Sequence, residues 1–489
     1  MKKVALVTLY AKDTRGIPPL GALYLATALK KNGFVPKIIY KKSTEVEDVI
    51  LEIENFNPDI VGMSVFTGYL NQNYVELSKK LKLKGYKIVW GNAHPSLLPE
   101  EVLGQKYVDF IVVGEGEETM IELMMNFDNK SCFSNILGLG FKDENGAIKI
   151  NGRRPFINID EYLIDWSLID LEKFLVPYFS NRYKRTLAVT TSRGCAFNCQ
   201  FCYNLVFNNR KWRGHDAEKF INNLKPIIEK YNINAIRFLD DNFFFDRERA
   251  LSIVRGLNLP YYADARVEYV NEKFVTDLKD TKCQEIMFGF ESGNERILKE
   301  VVQKGTGTAE IVKAVTLLKD SGIMVSGSFV FGFPSETKEE YLNTMKFIVK
   351  LLEINNNLAF TCGWYLPYPG TELYEKSKKM GFTPPNKIED WDRLDRWRND
   401  YEMEWIDWDY KDKVKYTRKV VHLLALSYKR NIPILKTILC KRVKNAFFKF
   451  PIDIFLLHKL RGIYLFGSNK NFIHRIVKKI IIKLLNGRV

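Results

Sequence analysis

Three cysteines lie within eight residues: Cys195, Cys199 and Cys202, spaced C-x3-C-x2-C. Cysteine thiolates hold iron–sulfur clusters, so this triplet can bind three irons of a [4Fe–4S] cluster and leave the fourth without a protein ligand. Like the open position on a catalytic zinc, such an iron is a site for chemistry. The alternatives are coincidence or a zinc site, for which His215 is the candidate fourth ligand. The spacing favours the cluster.

The cysteines follow the first of six short apolar runs that alternate with helical segments, two of which are 218–230 and 310–319. This alternation predicts βα units, and six units favour a full or partial (β/α) barrel. Catalytic residues of such barrels lie on the loops after the strands, which is where the cysteines fall. The predicted strands are 187–191, 235–239, 261–267, 285–290, 325–331 and 359–365.

A second α/β region precedes the barrel. Five short apolar runs separated by amphipathic segments predict a doubly wound, Rossmann-like parallel sheet, with its ligand beyond the carboxyl ends of the strands. The predicted strands are 4–9, 37–40, 60–65, 87–90 and 110–113, and the predicted helices are 20–31, 46–54 and 71–83. The predicted ligand loops are 10–19, 66–70, 91–96 and 114–118.

The whole chain is therefore predicted to be an α/β protein in four regions. These are the Rossmann-like domain 1–135, a connector 136–184 with a hairpin turn at 142–146, the barrel 185–400 and a helical region 401–489. The segment 391–408 is acidic and rich in tryptophan.

The motif around the cysteines, with Arg193-Gly194 before Cys195, resembles the signature of radical S-adenosylmethionine (SAM) enzymes. Four later segments resemble the same family in the right order: FLDDNF at 238–243, FGFESG at 288–293, GSFVFGFP at 327–334 and PYPGT at 367–371. The resemblance implies a [4Fe–4S] cluster, SAM as cofactor and a 5′-deoxyadenosyl radical that abstracts hydrogen from an unactivated carbon.

The resemblance also implies roles for single residues. Phe201 would meet the adenine of SAM, Asp240 and Asp241 would lie near its amino group, and Glu291 and Ser292 would contact its ribose or carboxylate. From the residues alone, the three acids fit equally well as caps or solvated groups at a barrel mouth. Arg266 and Lys304 are further candidates for the SAM carboxylate, or members of ion pairs.

The first domain resembles the cobalamin-binding domain that precedes the barrel in one large radical SAM group. The matching segments are 18–21, 91–95 and 113–117, with Asn92 in place of the usual glycine. The resemblance implies that cobalamin contacts Gly91, His94, Gly114, Glu115 and Gly116. Small residues such as the glycines allow the backbone to approach a large flat cofactor. The Asp-x-His-x-x-Gly signature of cobalt ligation is absent, so His94 is expected as a polar loop contact rather than a cobalt ligand. The alternative is a Rossmann-like domain without a cofactor.

The net charge of +16 is concentrated at one end of the chain. Residues 411–489 contain 20 Lys and Arg against 2 Asp and Glu, whereas residues 1–410 contain 54 against 56. A near-neutral body argues against a nucleic-acid binder. The segments 434–450 and 471–485 read as basic amphipathic helices, suited either to docking on the barrel or to an anionic membrane surface.

The remaining features concern the cell compartment and the cysteines outside the triplet. The seven cysteines are an odd number in a long chain without a signal-peptide pattern, so a disulfide framework is not expected. No apolar stretch has the length of a bilayer span. Cys132, Cys283 and Cys362 are expected to pack in apolar or loop surroundings, with Cys362 a weaker candidate for facing the substrate. We expect a cytoplasmic enzyme, peripheral to the membrane if the tail binds lipid.

Three enzymatic functions are open at this point. The first is C-methylation of an unactivated carbon by a cobalamin-dependent radical SAM methyltransferase. The second is a ring-forming or rearranging reaction with the same cofactors, as in the anaerobic cyclase of chlorophyll synthesis. The third, a tRNA methylthiotransferase, normally needs three more N-terminal cysteines, and only Cys132 precedes the triplet. A non-enzymatic sensor fits the open iron poorly. Expected partners are a small-molecule substrate, with lipids and other apolar molecules as candidates, and a low-potential electron donor of the flavodoxin or ferredoxin type.

Overall fold

The computed structural model describes residues 1–11, 16–178, 183–395 and 402–446. These residues form two compact units. The first consists of Met1–Ala265, Asp280–Gln284 and Leu366–Asp395. The second consists of Arg266–Lys279, Glu285–Tyr365 and the described residues from 402 onward. The first unit thus joins the Rossmann-like sheet to the beginning of the predicted barrel.

The first unit contains a seven-stranded sheet with the order β2-β1-β3-β4-β5-β6-β7. The strands are β1 (Lys3–Tyr10), β2 (Val35–Lys42), β3 (Ile60–Ser64), β4 (Ile88–Gly91), β5 (Phe110–Val112), β6 (Leu139–Lys142) and β7 (Ile148–Ile150). Strands β1 to β5 pair in parallel. The helices are α1 (Leu20–Lys31), α2 (Val46–Phe56), α3 (Asn71–Leu83), α4 (Ala93–Leu97), α5 (Pro99–Leu103) and α6 (Glu117–Met125). The predicted doubly wound sheet is confirmed.

The core of this sheet lies on both of its faces. Ala5, Val7 and Leu9 of β1 join one apolar cluster, whereas Val4 and Leu6 join the other. Successive side chains of a strand point to opposite faces, so a strand buried on both sides must be continuously apolar. This explains why the strands read as uninterrupted apolar runs in the sequence.

Part of the predicted connector belongs to the sheet instead. Residues 139–150 form the antiparallel hairpin β6–β7, which extends the sheet beyond β5. A Cβ on Gly140 would lie 2.5 Å from the Ile111 side chain, so the close approach of the hairpin to β5 requires glycine there. The strands have only four and three residues, and β7 is largely exposed, so neither shows a clear apolar pattern.

Eight strands follow: β8 (Thr186–Val189), β9 (Ser192–Arg193), β10 (Arg213–Gly214), β11 (Ala235–Phe238), β12 (Tyr261–Ala265), β13 (Cys283–Glu291), β14 (Met324–Phe331) and β15 (Leu358–Trp364). In the first unit β11 pairs in parallel with both β8 and β12. In the second unit β14 pairs in parallel with both β13 and β15. All six strands predicted for the barrel region are present.

Helices connect these strands and complete the described chain. They are α7 (Asn204–Phe207), α8 (Ala217–Lys230), α9 (Arg247–Leu257), α10 (Glu272–Asp280), α11 (Thr308–Leu317), α12 (Lys338–Ile354), α13 (Glu372–Lys379), α14 (Lys411–Lys429) and α15 (Pro433–Lys444). No helix of the described residues has the length and apolar character needed to cross a membrane. The predicted helix at 471–485, and the end of the one at 434–450, lie outside the described residues.

The beginning of the tryptophan-rich segment, residues 391–395, belongs to the first unit. Asp392 accepts hydrogen bonds from the backbone N–H groups of Asn71 (2.7 Å) and Gln72 (3.0 Å), so it caps the start of α3. Trp391 beside it is fully buried. The cap lies about 320 residues away from the helix in sequence and is therefore invisible to local capping patterns.

Candidate active site

The three cysteines lie on the loop between β9 and α7. Cys199 is buried and Cys195 and Cys202 are half-buried, and the backbone N–H of Cys202 donates to the carbonyl of Cys199 at 2.9 Å. Gly194, just before the loop, has φ +81°, and a Cβ there would lie 2.1 Å from the carbonyl oxygen of Lys211. Only glycine fits this entry to the loop.

In the zinc alternative, His215 is the candidate fourth ligand. The His215 ring is instead buried between two other partners: Nδ1 lies 2.9 Å from a carboxylate oxygen of Asp160, and Nε2 lies 3.0 Å from the hydroxyl of Tyr24. Both ring nitrogens are thus engaged away from the cysteines. The donor set that remains on the loop is three thiols, which fits an iron–sulfur cluster with one open iron.

Asp240, at the end of β11, holds the start of the cysteine loop. Its carboxylate accepts from the backbone N–H of Thr191 (3.0 Å), from the Thr191 hydroxyl (2.8 Å) and from the Ser192 hydroxyl. Burial raises the pKa of Asp240, and these hydrogen bonds offset part of the rise. The predicted SAM contact of Asp240 stays a prediction, because its observed partners are all in the loop.

Replacing Asp240 with asparagine should loosen this loop. Three donors would then share a neutral amide, and a buried donor that loses its acceptor costs about 1–3 kcal/mol. We expect a lower urea midpoint and a lower iron content after anaerobic reconstitution. The matched control is Asp280→Asn, because Asp280 is exposed. Equal urea midpoints and iron contents for the two variants would contradict the assigned role.

Asp241 faces open space instead. Its Oδ2 accepts from the backbone N–H of Gly194 at 3.1 Å, and its Oδ1 lies 3.4 Å from the hydroxyl of Tyr203. The side chain is exposed, but the protein around the carboxylate reduces its hydration and raises the pKa of Asp241, with hydrogen bonds from Asn204 and Gly194 acting in the opposite direction. Of the two neighbouring acids, Asp241 is therefore the one available to a ligand.

Phe201 lies half-buried on the cysteine loop of the first unit. Glu291 and Ser292, which are also predicted to contact SAM, lie in the second unit. Glu291, at the end of β13, has a left-handed backbone (φ +60°) and accepts from Nζ of Lys304 at 3.0 Å. The hydroxyl of Ser292 lies 3.1 Å from that of Thr344. A strained, buried ion pair at a strand end is typical of functional sites.

Lys304 and Arg266 also belong to this group in the second unit. Arg266 donates to the backbone carbonyl of Lys304 and to the Glu268 carboxylate. Both cations therefore form ion pairs within the second unit, which is the alternative role that the sequence left open for them. Their contact with a SAM carboxylate stays a prediction.

A cavity of about 390 Å³ lies within the first unit. One wall is formed by the loops at the carboxyl ends of β3, β4 and β5, including Gly91, Gly114, Glu115 and Gly116. The other wall includes Asp241 and part of the segment that leads from β8 through β9 to the cysteines. The residues of this segment that line the cavity are Thr190, Ser192, Arg193 and Gly194. Four of the five residues predicted to contact cobalamin therefore line one cavity.

The glycines of this cavity leave room for a large ligand. A Cβ on Gly21 would meet no atom within 4 Å, and one on Gly91 would meet only the Val112 Cβ, at 4.0 Å. Since both residues line the cavity, their missing side chains open space rather than pack against protein. The site thus fits a broad cofactor that approaches the backbone, as cobalamin would.

His94, the fifth predicted residue, does not line the cavity. Its ring is fully buried, with Nδ1 3.3 Å from the Thr67 hydroxyl and its centroid 5.7 Å from that of the Trp391 ring in a T-shaped arrangement. Burial lowers the pKa of His94 to about 3, so the ring is neutral. His94 lies in α4 rather than on a loop, and its contacts are with protein groups. Its predicted contact with cobalamin stays a prediction, and cobalt ligation has no support here.

Comparison with known proteins supports the two halves of this site separately. The B12 binding domain family matches residues 8–124, and the Radical SAM superfamily matches residues 189–348. An uncharacterized methyltransferase of Pyrococcus horikoshii is 36% identical over 373 residues, which cover 73% of this chain and 78% of that protein. The chain belongs to the radical SAM enzymes with a B12-binding domain.

Other members of this group are similar over most of the chain. The anaerobic magnesium-protoporphyrin IX monomethyl ester cyclase of Rubrivivax gelatinosus is 26% identical, over 73% of this chain and 66% of the cyclase. The solved structure of the methyltransferase TsrM from Kitasatospora setae, with cobalamin and a [4Fe–4S] cluster bound, has a TM-score of 0.66. It is 16% identical and covers 91% of this chain and all of TsrM, which shows a shared fold.

Membership of the radical SAM enzymes with a B12-binding domain confirms several predictions. The protein is an α/β enzyme of the methyltransferase and cyclase group, and its cofactors are a [4Fe–4S] cluster, SAM and cobalamin. The alternative of a Rossmann-like domain without a cofactor has no support from the B12-binding match.

Sequence reasoning missed the residues that join the two walls of the cavity. Tyr24 and Arg193 line it, and Arg193 forms ion pairs with Glu115 (2.8 Å) and Glu117 (2.6 Å). Burial alone would raise the pKa of Glu115, but Arg193 and Arg213 lower it below its usual value. The only sequence signal was position: Arg193 directly precedes the Gly194-Cys195 entry to the cluster loop.

Proposed function

We propose that this enzyme transfers a methyl group from SAM to an unactivated carbon of a small molecule. The observation that carries the proposal is the cavity of the first unit. The loops predicted to bind cobalamin form one of its walls, and the entry to the cluster loop forms the other. A reaction that needs both cofactors on one substrate requires such a shared space.

The chain's own residues have distinct tasks in this proposal. When bound, the cluster and SAM supply hydrogen-atom abstraction, and cobalamin supplies the methyl group. Cys195, Cys199 and Cys202 would hold the cluster, and the glycine-lined wall would hold cobalamin. Asp241, whose carboxylate borders the cavity at the foot of the cluster loop, would bind a donor group of SAM or of the substrate.

Labelled SAM tests this proposal directly. The reconstituted holoenzyme would be incubated anaerobically with methyl-labelled SAM, a low-potential reductant and a small-molecule extract from cells of the source organism lacking this protein. We expect label in a product that is absent from the Cys199→Ala reaction. Production of 5′-deoxyadenosine without label in any product would contradict methylation.

A ring-forming or rearranging reaction is the second candidate. It is favoured by the similarity to the anaerobic cyclase, which extends over 379 residues. In the same incubation it predicts a substrate whose mass changes without gain of the label. We do not propose a methylthiotransferase, because only one cysteine, Cys132, precedes the triplet and a second cluster would lack ligands there.

Two partners complete the proposal. A flavodoxin- or ferredoxin-type protein would deliver the electron to the cluster.

The second partner is a membrane surface. The basic residues after 411 would bring the enzyme to the cytoplasmic face of an anionic membrane, where an apolar or lipid substrate would be found. Deletion of residues 468–489 should then weaken sedimentation with phosphatidylglycerol vesicles but not with phosphatidylcholine vesicles. Unchanged sedimentation would favour a tail docked on the protein.

A further inference from the structure

A cluster of charged residues joins the two walls of the cavity in the first unit. We call Arg193, Arg213, Glu115 and Glu117 the clamp. Arg193 and Arg213 are directly paired neighbours in the two-residue ladder of β9 and β10. The two glutamates lie on the loop after β5 and on the first residue of α6. The clamp therefore ties the start of the cluster loop to the sheet that carries the cobalamin-type loops.

The contacts of the clamp are short and sheltered. Arg193 donates from one guanidinium nitrogen to Glu115 (2.8 Å) and from the other to Glu117 (2.6 Å). Arg213 donates to both oxygens of Glu115 at 2.9 Å. The two glutamate side chains are 6–7% exposed and the two arginine side chains 18–20%. Two cations thus match two anions in a largely desolvated wall.

Aromatic rings hold both guanidinium groups from a second side. Arg193 lies over the ring of Tyr24, 4.6 Å from its centroid, and Arg213 lies over Phe156 at 4.1 Å. The Tyr24 hydroxyl contacts Nε2 of His215 and the carbonyl oxygen of Thr190, so the ring itself is fixed. A planar guanidinium that bridges two carboxylates and stacks on a ring has little freedom to move.

The position of the clamp gives it a role beyond stability. Arg193 is two residues from Cys195, and a Cβ on Gly194 between them would lie 2.1 Å from the carbonyl oxygen of Lys211, so the backbone there is closely packed. Glu115 and Glu117 flank Gly116, which lines the cavity. We propose that Arg193 and Glu117 are positioning residues that fix the separation and orientation of the cluster relative to cobalamin. This inference rests on the proposed binding of both groups at this cavity.

A spectroscopic experiment tests the clamp without the unknown substrate. The loaded enzyme would be poised so that both the cluster and cob(II)alamin are paramagnetic, and pulsed EPR would measure how the cluster accelerates cob(II)alamin relaxation. We expect a single relaxation component in the unmodified enzyme. Glu117→Gln leaves a sheltered arginine short of one anion, so we expect a spread of components there. Arg193→Lys, which keeps the charge but cannot bridge two carboxylates, should show an intermediate spread.

The matched control lies on the same helix. Glu122 of α6 pairs with Arg154 at 2.7 Å, away from the cluster loop. Glu122→Gln should leave the EPR relaxation unchanged. If Glu117→Gln holds both groups and relaxes like Glu122→Gln, the inference is wrong although the proposed cofactor sites stand. If the unmodified enzyme itself holds no corrinoid, the proposed function fails instead.

Hydrogen exchange tests the clamp even if Glu117→Gln loses a cofactor. The exchange rate of the peptide that spans residues 190–196 would be measured in the full-length variants as purified. Faster exchange of this peptide in Glu117→Gln than in Glu122→Gln supports the clamp. Equal exchange in the two variants overturns it.

Discussion

Replacing Cys199 with alanine should abolish cluster binding and SAM cleavage together. The unmodified chain should hold about four irons and four sulfides after anaerobic reconstitution, because three thiolates suffice for a [4Fe–4S] cluster with one open iron. Cys199 is the most sheltered of the three and lies at the turn where the Cys202 N–H meets its carbonyl. Loss of its thiolate leaves only two ligands on the loop. The expected result is iron near background and no detectable 5′-deoxyadenosine.

The control for this variant is Cys132→Ala, because Cys132 lies outside the cysteine loop. Iron, sulfide and the charge-transfer absorbance of the cluster should match the unmodified chain. A Cys199→Ala protein that still holds a complete cluster and cleaves SAM would disprove the ligand assignment. A Cys132→Ala protein that loses its cluster would show that the loss is not specific to the triplet.

Replacing Gly91 with leucine should block cobalamin binding and leave the cluster intact. Gly91 ends β4 and lines the cavity, and a Cβ there has one neighbour, Val112, at 4.0 Å. The backbone can accept a side chain, because Gly91 does not have a positive φ. A leucine side chain would therefore extend into the space assigned to the cofactor. We expect the affinity for cobalamin to fall at least about tenfold, which corresponds to a clash worth about 1.4 kcal/mol or more. The corrinoid absorbance of protein purified from cobalamin-fed cells should fall with it.

Ala147→Leu is the matched control, since it adds a leucine to an exposed turn of the same sheet. Iron content should be equal in both variants, and the thermal midpoint should show whether Gly91→Leu is folded. Normal corrinoid binding by a folded Gly91→Leu protein would place cobalamin elsewhere. Loss of the cluster in that variant would mean that the two sites are not separable.

Much of the fold could be predicted from local pattern. The helices 20–31 and 71–83 begin and end at their predicted residues, and all five parallel strands of the first sheet are where the apolar runs predict them. Strands β1, β3, β4 and β5 are covered on both faces, so their burial appears directly as unbroken apolar sequence, whereas the edge strand β2 has one buried residue, Ile39. The pattern predicts the turn of the hairpin β6–β7 at 142–146 but not its two strands, because they have only four and three residues and β7 is largely exposed, which leaves no such run.

Sequence alone predicted the cysteine ligands of the candidate site well, but it did not distinguish the roles of the two neighbouring aspartates. The cysteine triplet is contiguous in sequence, so spacing alone indicated a metal centre. Asp240 and Asp241 are adjacent and look equivalent in sequence, yet one holds the loop and the other borders the cavity. Both residues follow the end of β11 rather than lie in it, so no regular alternation sets their directions, and only the packing around the strand end decides which carboxylate meets a ligand.

Long-range partners account for the rest. Glu115 was predicted to bind a cofactor on its local motif, but its carboxylate contacts Arg193 and Arg213, 78 and 98 residues later. Asp392 caps a helix that begins at Asn71. Local sequence was enough to indicate the cofactors, because cluster ligands, glycine loops and apolar runs are encoded in neighbouring residues. The tertiary structure alone decided which charges meet, because ion pairs and caps depend on segments that only folding brings within hydrogen-bond distance.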